Sequence, residues 1–258
     1  MFNDYESMAY ADESNRPDRK VGEDYRLSSS YATSQLPLVA PQHPDVVASD
    51  LTLGYDTMGT YRSPRFSVAV FVPPAQIFNN HDVAAILSNL RDCAASEKIA
   101  WDSLEARREK LHATVCGGLE SRMGVSELAE FVSTRLAGLA PFVVRLYGPW
   151  FFGPKNGRLY LPMVAERTFG DFDDPLLEMQ RRLGQPAEHN GFYVGFLNLV
   201  DHLERGSTPS RHEADSLFSV LEATDRQVVA EFVVRSVSII ATHDDLILDS
   251  TLVATIPL

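Results

Sequence analysis

Cysteine is scarce in this 258-residue chain: it holds two, Cys93 and Cys116, far apart in sequence. A disulfide scaffold is therefore excluded, and two thiols in so long a chain fit a reducing compartment. Neither cysteine has a second ligand at zinc-site spacing, so no metal and no cofactor are expected. Positive charge is in deficit, with 23 Lys and Arg against 35 Asp and Glu and a net charge of −12. Affinity for long nucleic acid comes mainly from basic side chains neutralising many phosphates, so such a partner is not expected; a small phosphorylated ligand or a short RNA end stays compatible. No apolar run reaches the length of a membrane span, and the start lacks the basic, apolar and small-residue order of a secretory signal. The expectation is a soluble, cytoplasmic protein with no membrane partner. Neither a phosphate-cradling Gly-rich loop with Lys-Ser/Thr nor a dinucleotide fingerprint follows any predicted strand.

What is present is a hydrophobic content of 45%, enough for one globular domain with an appendage. Residues 1–64 read as the appendage, an N-terminal extension that is largely irregular or disordered. It is rich in Asp, Glu, Ser, Pro and Asn, and Ser28-Ser29-Ser30 and the segment Pro37 to Pro44 break any regular element. Its scattered aromatics, among them Tyr25, Tyr31, Tyr55 and Tyr61, offer anchors along the domain surface or for self-association through the arm.

Residues 65–258 form the predicted domain. Arg65 to Pro74 reads as a β-branched and aromatic strand stopped by prolines, Val83 to Ala95 as an amphipathic helix, and Leu111 to Val115 as the next strand. A helix over 125–139 precedes a hairpin of 142–152 with 158–164, whose tight turn is placed at Asn156-Gly157. A helix over 175–183, a strand over 192–200, a helix over 213–223 and two final strands, 228–241 and 246–257, complete the α/β (α+β) order.

His112 and Thr114 stand out within that order. Strand alternation points them to one face while Leu111, Ala113 and Val115 point to the core. An imidazole that titrates near neutrality and a hydroxyl able to donate to an anion then share a surface, a pairing suited to moving a proton while holding a phosphoryl oxygen. By the same alternation Cys116 shares their face, although a buried, inert thiol is the simpler reading.

The order of elements, with Leu111-His112-Ala113-Thr114-Val115, the hairpin segments 145–152 and 158–161 and the closing strand 232–240, resembles the two-histidine (2H) phosphoesterase superfamily, which includes the RNA 2′,3′-cyclic phosphodiesterases. The resemblance covers roughly residues 65–258. It implies two pseudo-symmetric lobes with antiparallel-rich sheets around a central cleft, each lobe contributing a His-x-Thr/Ser strand. The second motif is degenerate: Gly195-Phe196-Leu197-Asn198-Leu199 aligns with it, Phe196 replacing the histidine and Asn198 the hydroxyl residue.

Carried onto this chain, the resemblance makes His112 the catalytic base or acid, with Thr114 and Asn198 holding phosphate oxygens and Phe196 and Tyr160 forming a wall for a nucleobase. Arg158 and Lys110, each beside a strand expected to reach the cleft, are the cations that would focus an anion there. For the missing proton carrier, His189 ranks first among substitutes, Tyr160 second and His202 third. Tyr193 is set aside because alternation turns it away from Phe196 and Asn198. The implied function is a divergent, metal-independent phosphodiesterase acting on a 2′,3′-cyclic phosphate or a small nucleotide phosphodiester. The alternative is a catalytically inactive module of the same fold that binds a nucleotide or phosphometabolite.

Overall fold

The structure, a computed structural model, describes residues 27–119, 124–151, 157–166, 174–184, 192–203 and 212–258. The elements run α1 (Ser29–Ser34), α2 (Leu36–Val39), β1 (Tyr55–Thr57), β2 (Thr60–Phe71), α3 (Pro74–Phe78), α4 (His81–Asp92), α5 (Trp101–Ala106), β3 (His112–Leu119) and α6 (Val125–Leu136). They continue as β4 (Phe142–Tyr147), β5 (Trp150–Phe151), β6 (Arg158–Ala165), α7 (Pro175–Arg182), β7 (Phe192–Asn198), α8 (His212–Ala223), β8 (Val228–Val234), β9 (Ser236–Asp244) and β10 (Ser250–Pro257).

Every strand pair is antiparallel, and the order across the sheet is β10-β9-β2-β3-β7-β6-β4-β8, with β1 beside β2 and β5 beside β6. The fold is therefore α+β, as the order of elements predicts, and its sheet has two four-stranded halves. The halves are joined edge to edge by β3 and β7, where Ala113 pairs with Val194, so they form one continuous sheet.

One face of this sheet carries the main core. Val68, Val70, Ala113, Val115, Val144, Leu146, Leu159, Leu161, Val194 and Phe196 pack there with Ile77 of α3, Ile86 and Leu90 of α4, Val132 of α6, Met179 of α7 and Leu217 of α8. Local chemistry fixes where the helices start. Asn80 caps α4 by accepting from the amides of Asp82 and Val83 at 2.8 and 3.2 Å, and its amide donates to the Val229 carbonyl at 2.6 Å, which ties the helix to β8. Asp174 caps α7 through Leu176 N at 2.8 Å, with Pro175 in the first turn.

The single strand expected over 228–241 is two. β8 pairs with β4 at one end of the sheet and β9 pairs with β2 in the other half, with only Arg235 between them. Consecutive Cα atoms are about 3.8 Å apart, so the sheet must curl until β8 and β9 nearly meet at Arg235.

The expected boundary at residue 64 falls inside β2, and residues 27–64 are part of the domain; residues 1–26 lie outside the described residues. Tyr31 is 2% exposed, and its hydroxyl donates to the Leu199 carbonyl at 2.6 Å. Its ring rests on Gly157, which has φ +56° and where a Cβ would collide with the tyrosine. Gly157 thus supplies the positive φ expected of the hairpin turn; Asn156 lies outside the described residues. A polar clasp holds the same segment: Leu27 N donates to His202 Nδ1 at 2.9 Å, His202 Nε2 meets Asp45 at 3.0 Å, His43 Nε2 meets Asp201 at 3.4 Å, and Lys98 pairs with Asp201 at 3.1 Å. The sequence pattern missed these contacts because they are isolated polar anchors without apolar periodicity.

Tyr31→Phe leaves the Leu199 carbonyl and the Asn198 amide each short of a partner in a buried setting. We expect a loss of about 1–3 kcal/mol in urea unfolding, with the fold retained. A stability within error of the parent would contradict the anchoring role of this segment.

Candidate functional site

The sheet face opposite the main core holds a cleft of about 450 Å³ lined by Gln35, His112, Thr114, Val115, Gly117, Arg158, Tyr160, Gln180, Tyr193, Gly195 and Asp245. Its floor follows from the strand register. With Ala113 opposite Val194, alternation puts His112 opposite Gly195 and Thr114 opposite Tyr193. On the far side of β7, Gly195 pairs with Tyr160, so His112, Gly195 and Tyr160 form one row across three strands.

The bare backbone at Gly195 is what admits the cation. A Cβ on residue 195 would overlap the Arg158 guanidinium, which lies across the glycine in the gap between His112 and Tyr160. A glycine inside a strand marks a bulge or a close approach, and here it marks both. The pairs Leu159–Leu197 and Tyr160–Gly195 leave Phe196 as an extra residue in β7. Arg107, 2% exposed, reaches under this bulge and donates to the carbonyls of Gly195 at 3.1 Å and Phe196 at 2.7 Å. Burial lowers the Arg107 pKa to about 9, with the neighbouring Arg158 charge acting in the same direction.

His112 stands with its ring 5.8 Å from that of Phe71, and its Nδ1 is 2.9 Å from the Lys110 carbonyl. A carbonyl only accepts, so Nδ1 carries the proton and Nε2 keeps its lone pair. Burial, followed by the charges of Arg158 and Arg107, depresses the His112 pKa to about 4 despite the opposing bond to Lys110. At neutral pH this imidazole is a neutral proton acceptor.

The cleft also contains polar atoms in want of partners. Arg158 Nε and Gln180 Oε1 are buried without a hydrogen-bond partner among the described residues. At the far end, Asp245 accepts from the hydroxyls of Tyr55 and Tyr61, and burial raises its pKa. Arg65 lies 3.7 Å from the centroid of the Tyr61 ring. A guanidinium with an unsatisfied donor, beside a neutral imidazole and a threonine hydroxyl, is an arrangement that receives an oxyanion.

His112, Thr114, Arg158 and Tyr160 thus come together at one cleft, while the other sequence-derived candidates are placed elsewhere. Phe196 is 0% exposed and packs in the main core, so it forms no wall for a base. Asn198 is also 0% exposed. The bulge returns it to the cleft side of β7, opposite Arg158, but its amide donates to Gln35 Oε1 at 2.8 Å and to the Tyr31 hydroxyl at 3.3 Å beneath α1. It therefore holds the N-terminal segment and no phosphate.

Lys110 donates to the carbonyls of Ile247 at 3.1 Å and Leu248 at 2.7 Å, within the turn between β9 and β10, and is not among the residues that line the cleft. His202 belongs to the clasp, and His189 lies outside the described residues. Cys116 is turned into the core because Val115 is an extra residue in β3 against β2, which breaks the alternation after Thr114.

Asp245, Gln35 and Gln180 escaped the sequence reading, since none sits in a motif and each reaches the site from a distant element. For Gly195, a glycine between Val194 and Phe196 in an apolar strand was the available signal. Among the described residues no group of three or more His, Cys, Asp or Glu side chains could hold a metal ion, and no helix is long and apolar enough to cross a membrane.

No family model and no curated protein matches the chain. Solved structures similar to it include TT0787 of Thermus thermophilus, at 15% identity and a TM-score of 0.42, covering 75% of this chain and 97% of that one. A protein described as a phosphoesterase matches at 12% identity and a TM-score of 0.40, covering 76% of this chain and 96% of its own. The conserved protein of unknown function ATU0111 from Agrobacterium tumefaciens matches at 15% identity and a TM-score of 0.42, covering 97% of each chain. At such identities and scores the likeness fixes no function.

The depressed His112 pKa has a consequence for stability. Its folded value of about 4 lies below the ordinary value of 6.5, so the unfolded chain binds the extra proton first. Stability is then retained above pH 6.5 and lost as the pH falls from there to about 4, by at most roughly 3 kcal/mol from this group. His112→Asn should remove that part of the acid sensitivity in urea titrations at about pH 7 and about pH 4.5; an unchanged difference between the two would show an ordinary, solvated histidine. Separately, Gly195→Ala should displace the Arg158 guanidinium and weaken inorganic phosphate binding by ~10-fold or more, the scale of one charge-assisted hydrogen bond. Unchanged affinity in calorimetry would contradict the role given to the glycine.

Proposed function

We propose that this cleft binds and cleaves a small phosphodiester, of the 2′,3′-cyclic nucleotide class that the resemblance to two-histidine phosphoesterases implies, with no metal taking part. One observation carries the reading: His112 keeps the Nε2 lone pair of a neutral imidazole beside an Arg158 guanidinium with an unsatisfied donor. The guanidinium charge offsets that of the non-bridging oxygens and grows in value as negative charge builds on them. Thr114, exposed on the same strand face, donates to a second oxygen. His112 Nε2 takes the proton of the attacking water as the new P–O bond forms.

Neutrality at pH 7 suits a base, since no proton need be lost before it acts. Tyr160, in the same row as His112 across Gly195, offers a ring edge to the organic part of the ligand. The acidic net charge accords with a small ligand held by a few local cations.

A second reading, ligand binding without turnover, is favoured by one specific observation: among the described residues His112 is the only imidazole lining the cleft. The two readings separate in one experiment on the full chain, with 2′,3′-cyclic AMP and the other three cyclic nucleotides assayed in chelator-treated buffer. We expect turnover that falls ~10²- to 10⁴-fold in His112→Ala and a raised KM with a lowered kcat in Arg158→Met. Turnover that survives His112→Ala would overturn the catalytic reading. Absence of turnover in the parent, with nucleoside monophosphate binding that Arg158→Met abolishes, would establish the binding module.

A further inference from the structure

A single base leaves the reaction incomplete, because the ribose oxygen that departs from phosphorus needs a proton. The strand register indicates where its donor must stand. In an antiparallel pair the local two-fold axis through Ala113 and Val194 exchanges the residue before one with the residue before the other. The position related to His112 is therefore Tyr193, and the position related to Thr114 is Gly195.

The degenerate motif read at residues 195–199 starts three residues late: its histidine position, Phe196, is the extra residue of the bulge and packs in the core. On the cleft face His112 and Tyr193 are diagonal neighbours, for which side-chain origins lie about 7–8 Å apart. That interval fits a phosphoryl group between the two side chains, with attack on one side and departure on the other.

Resting on the phosphodiesterase reading above, we infer that Tyr193 is the proton donor to the leaving oxygen, so that the cleft runs on an imidazole and a phenol. In hydrolysis of a 2′,3′-cyclic phosphate, water oxygen bonds to phosphorus and one ribose P–O bond breaks. The water proton passes to His112 Nε2, and the Tyr193 hydroxyl proton passes to the departing ribose oxygen. Solvent then returns the imidazolium proton to the tyrosinate, and the products are a phosphomonoester and a free ribose hydroxyl.

The surroundings suit this role. Tyr193 lines the cleft, and its ring meets that of Tyr160 edge-on at 4.6 Å. Its other face packs by Trp150 and the buried pair Tyr147 and Val164. Burial, with Tyr160 acting in the same sense, holds its hydroxyl pKa above the ordinary value, which keeps the proton in place before reaction. Arg158 acts in the opposite sense and favours the tyrosinate formed as the proton leaves. Among the described residues the charged and titratable groups about Tyr193 and His112 are Arg158 and Tyr160 from β6, Tyr147 from β4, Asp245 after β9 and Arg107 after α5.

The test turns on the leaving group, because a nitrophenolate departs without a proton and a ribose alkoxide does not. In Tyr193→Phe we expect kcat on a 2′,3′-cyclic nucleotide to fall ~10²-fold or more with KM little changed, while cleavage of a bis(nitrophenyl) phosphate falls by less than ~10-fold. Tyr160→Phe should leave the ratio of the two rates unaltered. Tyr193→His should restore part of the cyclic-nucleotide rate, now lost above about pH 7 as an imidazolium donor gives up its proton near its ordinary pKa.

An equal loss on both substrates, or a Tyr160→Phe variant that carries the selective loss, would overturn the assignment. So would a Tyr193→Phe variant with parental rates. In each of these cases the base reading survives if His112→Ala remains inactive on both substrates, so failure of the donor and failure of the site are distinguishable.

Discussion

The antiparallel pairing of Ala113 with Val194 is the contact on which the rest of the architecture depends. It is where β3 and β7 join two four-stranded halves into one sheet, and it sets which residues face the cleft. A slip of one residue would turn His112 and Thr114 into the core and expose Ala113 and Val115. The pairing is held from the core side, where Ala113, Val115, Val194 and Phe196 are buried among the helices. Packing on one face thus determines chemistry on the other.

Two bulges complete that arrangement. The one at Phe196 sends a bulky ring into the core and leaves carbonyls that Arg107 satisfies, while the glycine before it opens the space occupied by Arg158. Two guanidinium groups therefore meet at one stretch of backbone, Arg107 holding its carbonyls and Arg158 reaching the cleft. Burial, together with their positive charge, is also what keeps His112 neutral. The positive potential that would attract an anion thus helps to maintain the unprotonated base that would act on it.

Much of this was legible in the residues. β-Branched and aromatic runs and proline stops mark the strands, and the alternation about His112 and Thr114 puts both on the face that lines the cleft, where Arg158 and Tyr160 of the hairpin also lie. The errors share a physical origin. Alternation counts residues along one strand, whereas a bulge is a property of two, so Phe196 and Asn198 stand in other environments than alternation assigns them, and Cys116 leaves the face of His112 to be the buried thiol of the simpler reading. Lys110 was read as a cleft cation because its sequence position adjoins His112, but its ammonium finds two carbonyls in a turn more than a hundred residues away. The segment 27–64 was read as an appendage because it is polar and aperiodic, yet one buried tyrosine, a glycine to receive it and a clasp of His43, His202, Asp45 and Asp201 suffice to fix it.

The central claim is that His112 sits in the cleft as a neutral imidazole with its proton on Nδ1 and its Nε2 lone pair available to a phosphate ligand. Long-range ¹H–¹⁵N correlation spectra of the histidine side chains, recorded across pH with and without a nucleoside 3′-monophosphate, measure tautomer, pKa and contact together. The structure predicts an Nδ1–H tautomer for His112, a midpoint near pH 4 in the free protein, and an Nε2 resonance that moves when the nucleotide binds. A midpoint near the ordinary value of 6.5 with the proton on Nε2, unaffected by the nucleotide, would contradict it.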